Sequence, residues 1–365
     1  MASEAQTSPS AAASIRRDRL TRVQDLLRQG IDDGAYPGAV VCVYQGAECV
    51  LHEAVGALDG TRATATDSIY DLASLTKPLA TAAVALTLAE SGALLLSAAL
   101  RDILGDCVPD HLAAVTLLQL LTHTSGLPAW APCYQAGLGM VHALRAIFAL
   151  PAPTAPPGAR YEYSCLNFIL LAEIVRRITG RSLDQLADEW IFHPLGVRDM
   201  TFRPPSDLLP RVAPTASMEG PAAGPHLLGV VHDGNARAIE AGGDISGNAG
   251  LFGTAAGVTA VAEAIRTGRL FGAPATVRAL SNQIAPDIGG HSLLFYSHPN
   301  PLNPTGDLFS DRAVGHSGFT GTTLVIDPAY DLTVVVLTNS VFIDGKRKWL
   351  PLRRQLMNAL AGALR

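Results

Sequence analysis

The segment YDLASLTKPLATAAVALTLAE (70–90) decides how the rest of the chain is read. From Thr76 to Glu90 it is almost wholly apolar, and Ser91-Gly92 closes it. A helix that is apolar on every side must be covered on every side. Its cover is found by working outward. AVVCVYQGAECVLHEAVG (39–56) reads as two strands around Gln45-Gly46-Ala47, and GTTLVIDPAYDLTVVVLTN (321–339) as two more joined at Asp327-Pro328-Ala329-Tyr330. Residues 15–30 place Ile15, Leu20, Val23, Leu26 and Leu27 at helical spacing, and Trp349 to Leu364 forms a terminal amphipathic helix. Between these ends lie further helical patterns at Leu112–Leu121, Asn167–Thr179 and 255–266, a Pro-rich loop LPAPTAPPGAR (150–160), and an irregular stretch over 200–250.

Strands near both termini with helices between them predict an α/β plus all-α fold, in which one antiparallel sheet is assembled from both ends of the chain and flanked by helices. The expected organisation is a flexible amino terminus (1–14), a discontinuous sheet domain (15–70 and 305–365), and a mainly helical domain (71–304) with the active-site cleft between the two. No repeat of 20–50 residues is visible, which sets solenoids and propellers aside.

The chain has 365 residues, of which 48% are hydrophobic and 16% charged, with a net charge of −5 and mean hydropathy of +0.24. That composition excludes a disordered chain, and the acidic balance disfavours a nucleic-acid partner. The apolar run Pro78–Leu100 is interrupted by Thr81, Thr87, Glu90, Ser91 and Gly92, so it reads as helix, turn and helix, and no integral membrane segment is expected. No signal peptide is visible, so a cytoplasmic location is the default expectation. The cysteines Cys42, Cys49, Cys107, Cys133 and Cys165 are odd in number, show no C-x-x-C spacing, and read as buried free thiols. No H-E-x-x-H occurs, and neither a metal nor another cofactor is expected.

Lysine usage points to the chemistry. The chain has 3 lysines against 24 arginines, and two of the lysines, Lys346 and Lys348, fall in a GKRK turn that reads as solvated. Lys77 stands alone in the apolar segment. A lysine there either snorkels to the surface or stays desolvated, and a desolvated amine can give up its proton where a guanidinium cannot. Ser74 precedes it by three residues, on the same helical face. Such an amine can take the serine proton and make a nucleophile. No G-x-S-x-G elbow competes with this pair, and Asp32-Asp33 and Asp307/Asp311 flank turns where solvated acids are ordinary. Tyr163, at a loop-to-helix junction, is either a packed aromatic or a proton relay. In GHSGFTGTTLVIDP (315–328), His316, Gly318 and Gly321 stand at the head of a strand. They make either a plain turn or a place where a ligand approaches the backbone, with an edge-strand N–H and the Ser74 N–H forming an oxyanion hole.

Taken together, YDLASLTKP (70–78), LLQLLTHTSGLP (117–128), YEYSCLNFILLAEIVRRITGRSL (161–183), GVVHDGNA and AGLFGTA (within 229–255), and GHSGFTGTTLVIDP resemble the β-lactamase-related serine hydrolases, from about residue 35 to 340. That family includes class C β-lactamases, penicillin-binding-protein-like peptidases, D-amino-acid peptidases and esterases. The resemblance implies a β-lactamase/DD-peptidase-like fold. It also implies Ser74 as the acylated nucleophile, Lys77 as its base partner, Tyr163 as proton relay, and the N–H groups of Ser74 and Phe319 as oxyanion hole. Asn167, His123 and Ser125 match family positions that read as architecture. Two positions depart from the lactamase pattern. Cys165 stands where an asparagine faces the acyl side chain, and it lacks the paired contacts of an amide. The triplet His316-Ser317-Gly318 replaces Lys-Thr-Gly, so a permanent cation is missing. The expected activity is a cofactor-free serine hydrolase acting through an acyl-enzyme on small-molecule esters, amides or peptides. Alternatives are a D-amino-acid or cell-wall-type peptidase, a β-lactamase, an acyltransferase and an inactive ligand-binding homologue.

Overall fold

The computed structural model describes residues 15–216 and 226–365; the expected flexible terminus (1–14) lies outside them. Five strands form one antiparallel sheet: β1 (Gly38–Gln45), β2 (Glu48–Gly56), β5 (Val314–Ser317), β6 (Thr323–Asp327) and β7 (Leu332–Thr338), in the order β2-β1-β7-β6-β5. A two-residue pair, β3 (Tyr70–Asp71) with β4 (Phe252–Gly253), stands apart. The central pairing joins the two ends of the sequence, from Ala39 opposite Thr338 to Gln45 opposite Leu332.

Side-chain alternation sorts the sheet into two faces. Val41, Val43, Val325, Val334 and Val336 point to one side, where the helices Leu20–Asp32 and Lys346–Ala361 cover them. Tyr36 joins this layer, its ring edge-on to Trp349 at 5.4 Å and its hydroxyl donating to the Leu27 carbonyl. Val40, Cys42, Leu324, Ile326, Val335 and Leu337 point to the other side and merge with the core of the helical region. The helix Ala255–Arg266 packs directly on that face, against β1, β6 and β7. The segment 70–90 is buried as expected, with Val84 and Ala85 at 0% exposure. Among the described residues, no helix is long and apolar enough to cross a membrane.

The structure corrects several local expectations. The run at Leu112–Leu121 is two helices, Asp110–Ala113 and Leu117–Leu121, because Thr116 caps the second: its side chain accepts from the Gln119 N–H, while Gln119 reaches back to the Thr116 N–H. The stretch 200–250 contains a helix, Gly234–Ala241, capped by Asp233. The helices Met140–Phe148 and Ala273–Leu280 carried no sequence expectation. All five thiols are free, but only Cys42 and Cys133 are buried; Cys49 and Cys107 are exposed and Cys165 is half-buried.

Candidate active site

The chain approaches Ser74 through a tightly tied turn. Asp71, at the end of β3, is buried, and its two carboxylate oxygens accept the backbone N–H groups of Ala73 at 2.8 Å and His232 at 2.7 Å. The Asp71 and Leu72 carbonyls accept the hydroxyls of Thr320 at 2.7 Å and Thr322 at 3.0 Å. Ala73 is thereby held at φ 47°, a left-handed conformation that a residue with a side chain rarely adopts. Ser74 follows on the tight turn Ala73–Leu75, and its side chain is half-buried. The chain then takes one π-helical turn, Lys77–Thr81, before settling into the α-helix Ala82–Glu90. Such wide turns often mark functional positions.

The loop 247–251 is stitched along this segment. Leu72 N–H donates to the Leu251 carbonyl, Leu251 N–H to Thr76 Oγ1, and Thr81 Oγ1 to the Gly247 carbonyl. A side chain at Gly247 would collide with the Phe168 carbonyl of the helix Cys165–Thr179, so glycine lets the loop run between the two helices. The neighbouring Asn248 carbonyl then accepts from Lys77 Nζ at 2.8 Å. Lys77 is fully buried, and Nζ also lies 3.0 Å from Ser74 Oγ and 3.5 Å from Cys165 Sγ. No carboxylate forms an ion pair with it among the described residues. Snorkelling is therefore the reading of Lys77 that the fold rejects.

Tyr163 ends an extended segment in front of the helix Cys165–Thr179, and its ring centroid lies 5.1 Å from Lys77 Nζ. Its hydroxyl is buried without a hydrogen-bond partner among the described residues, and that burial holds its titration well above 10. His123, read as architecture, packs against the Tyr163 ring at 4.6 Å while its Nδ1 accepts the Ser164 N–H. Ser125 and Asn167 hydrogen-bond each other, and Asn167 also donates to the Leu120 carbonyl, tying the turn to the helix.

The edge strand β5 brings the remaining candidates. His316 is 1% exposed and stacks on Tyr296 with ring centroids 4.4 Å apart. Burial first, then the nearby Lys77 and His291, hold its titration well below 6.5, so the ring is neutral at pH 7. Gly318 sits where a side chain would collide with the Leu72 carbonyl and Thr322 Oγ1, so its glycine permits the turn to close on the segment that leads to Ser74. Phe319 follows, 56% exposed, with its ring stacked near His232. Lys346 Nζ lies 3.3 Å from the Phe319 ring centroid, and burial lowers its titration, so this lysine is not the solvated one that the GKRK turn suggested. The structure thus gathers Ser74, Lys77, Tyr163 and Cys165 at one point, with His316 behind them, and carries Gly318 and Phe319 on the turn hydrogen-bonded beside Ser74. Sequence reasoning missed Asp71, Asn248, Tyr296 and Lys346.

Comparison with known proteins agrees with this geometry. The sequence profile of the beta-lactamase family matches residues 23–356. The chain belongs to the beta-lactamase family. It is 30% identical over 371 residues to a putative D-alanyl-D-alanine carboxypeptidase of Escherichia coli O157:H7, covering 90% of this chain and 83% of that protein. Among solved structures, EstCE1, a hydrolase with promiscuous acyltransferase activity, superposes with a TM-score of 0.77 at 22% identity, over 95% of this chain and 99% of the other. A class C beta lactamase from Rhodobacter sphaeroides gives 0.71 at 19% identity, over 91% and 98%. This beta-lactamase-family chain is a serine hydrolase, and its antiparallel sheet flanked by helices is the family's fold.

Two outcomes follow from the buried groups. Burial pushes the Asp71 carboxyl up to about 6, above its usual value of about 3.9. The folded state therefore takes up this proton before the unfolded state does, and the group's contribution to stability grows as pH falls through that window. Asp71→Asn, which removes one acceptor, should cost about 1–3 kcal/mol. Its stability gap to wild type should widen between about pH 6 and about pH 4, as read by denaturant unfolding at each pH. Secondly, a neutral His316 cannot sense substrate charge. The ratio of kcat/KM for a matched acid and methyl-ester pair should stay flat from about pH 6.5 to about 8.5; a ratio that falls with pH would show a titrating imidazole.

Proposed function

We propose that this beta-lactamase-family hydrolase forms an acyl-enzyme on Ser74 and hydrolyses small esters or amides, with Lys77 as base and Tyr163 as proton relay. The observation that carries the reading is the surroundings of Lys77 Nζ. An unprotonated amine has two N–H bonds and one lone pair. Nζ donates to the Asn248 carbonyl at 2.8 Å, to Cys165 Sγ at 3.5 Å and to Ser74 Oγ at 3.0 Å; once it has lost a proton, the first two contacts keep its two N–H bonds and the lone pair falls to the Ser74 hydroxyl. Lys77 takes the Ser74 proton as Oγ attacks the substrate carbonyl, and the N–H groups of Ser74 and Phe319 receive the oxyanion. Tyr163 passes the proton to the leaving group. Water, deprotonated by the same pair, then cleaves the acyl-enzyme and restores the Ser74 hydroxyl.

Ester hydrolysis is favoured by what holds the substrate. Cys165 contacts Lys77 where the lactamases have an amide, and the neutral His316 supplies no cation for a lactam carboxylate. A peptidase acting on D-amino-acid peptides is the second reading, favoured by the 30% identity to a putative D-alanyl-D-alanine carboxypeptidase. Intact-mass detection of acylation across p-nitrophenyl esters, a D-Ala-D-Ala peptide and a cephalosporin separates them. Esters should label the protein by one acyl group, and Ser74→Ala should abolish the label. Lys77→Arg should be nearly as damaging although it keeps the charge. Tyr163→Phe should lose about 10²–10⁴-fold in rate with little change in Tm. Cephalosporin kcat/KM should stay below about 10⁴ M⁻¹s⁻¹. Peptide turnover faster than ester turnover would select the second reading.

A further inference from the structure

A cavity of about 720 Å³ lies beside the edge strand, a size typical of small-molecule sites. Ser74, Lys77 and Tyr163 are not among the residues that line it. One wall is the segment 298–311, where Pro299, Pro301 and Pro304 restrict the backbone. Asp307 ties this wall to the helix Lys346–Ala361: its N–H donates to Asn358 Oδ1 at 2.7 Å, and its carboxylate accepts from Asn358 Nδ2 at 2.7 Å and from Arg354 Nε at 2.8 Å. Ser310 ties it to β6, donating its N–H and its hydroxyl to the Asp327 carboxylate at 2.9 and 2.6 Å. Tyr296 also lines the cavity, and its backbone is clamped to β5: its N–H donates to the Gly315 carbonyl at 2.9 Å, and the Gly315 N–H donates back at 3.0 Å. Walls fixed in this way leave little to be ordered when a ligand enters.

Arg353, on the same helix, lines this cavity and is half-buried. Among the described residues, no hydrogen bond or ion pair reaches its guanidinium. The other charges on the walls are spent or exposed: Asp307 pairs with Arg354, and His298 lies 3.8 Å from Asp311, whose carboxylate is exposed. A guanidinium presents a planar fork of N–H donors that matches the two oxygens of a carboxylate. Tyr296, Phe309 and Leu350 supply apolar surface in the same cavity, which suits an organic body. The acids Asp307 and Asp311 in its walls disfavour a dianion such as phosphate. Ser317 lines it too, from the face of β5 opposite His316, because successive strand residues alternate. We propose that this cavity binds an organic monocarboxylate, its carboxylate paired with Arg353 and its apolar body against Tyr296, Phe309 and Leu350. The acid is either free or the tail of an ester held on Ser74, and the chemistry of the site is the same for both. The first source stands without the acyl-enzyme reading; the second rests on it.

Calorimetric titration of the full chain with phenylacetate at neutral pH tests the proposal, with phenylacetamide as the uncharged match. The acid should bind at one site, and the amide at least about 10-fold more weakly, for want of a charge-assisted pair. Arg353→Gln should weaken the acid about 10- to 100-fold and leave the amide unchanged. Arg353→Lys, which keeps the charge and loses the fork, should fall between Arg353→Gln and wild type. Lys348→Gln, which removes an exposed cation from the same helix, should bind as wild type does. Protein blocked at Ser74 by a fluorophosphonate should also bind the acid as before. Equal binding of acid and amide by the wild type overturns the proposal, a result that needs no variant to fold. Undiminished binding in Arg353→Gln, an equal loss in Lys348→Gln, or loss of binding when Ser74 is blocked overturns it too. Mono-p-nitrophenyl glutarate and its methyl ester separate the two sources. If the tail is the ligand, Arg353→Gln lowers kcat/KM for the acid about 10-fold and spares the methyl ester. If a free acid is the ligand, both substrates are spared while the calorimetric loss remains. Failure of the fluorophosphonate to label Ser74 would overturn the acyl-enzyme reading and leave the titration to decide this site.

Discussion

Three contacts fix Lys77 Nζ in place: the Asn248 carbonyl, Cys165 Sγ and Ser74 Oγ. The Asn248 carbonyl can only accept, so one N–H is committed to it. That commitment explains features that have no chemistry of their own. Gly247 lacks a side chain so that the loop can pass between two helices. Thr76 and Thr81 bind the loop to the nucleophile segment at both ends of the first turns. The helix begins with a π-helical turn, Lys77 to Thr81, at the same place. The apolar helix that follows keeps solvent from the buried amine.

The strand framework was legible because alternation of side chains survives in the bare sequence. β1, β2, β6 and β7 fall where the patterns 39–56 and 321–339 place them, and the meeting of the two termini in one sheet follows from those patterns. Ser74 and Lys77 were legible for a different reason: a rare residue type in an apolar run is a chemical anomaly. What remained hidden is carried by backbone atoms or by aperiodic segments. The Asn248 carbonyl gives no side-chain signal. Tyr296 lies in a loop whose position depends on its clamp to β5, a contact across sequence that no local pattern encodes. Lys346 looked solvated among charged neighbours, and only the packing of the terminal helix against the turn of Phe319 reveals its place.

Cys165 and His316 show how one site changes its electrostatics without changing its outline. Each occupies a position where the lactamase pattern implies an amide or a cation, and each contacts the neighbouring machinery, Cys165 through Lys77 and His316 through Tyr296. The result is a cluster of neutral rings: His123, His291 and His316 are all buried and all held uncharged. With solvent excluded, the electrostatic interactions of the amine beside them are stronger than they would be in water.

The turn that carries Phe319 is tied to the segment ahead of Ser74 by hydrogen bonds spanning 249 residues, from Thr320 to Asp71, and 250 residues, from Thr322 to Leu72. On the ribosome, Ser74 and Lys77 are therefore made long before the strand that braces them. The brace around the left-handed Ala73 is complete only once Thr320 and Thr322, between β5 and β6, have been synthesised. Contacts of this sequence separation are among the last a chain can form, because the loop they close carries most of its entropy. Reactivity is thus acquired at the end of biosynthesis, and a chain truncated before its last fifth would carry the complete nucleophile motif without the brace that arms it.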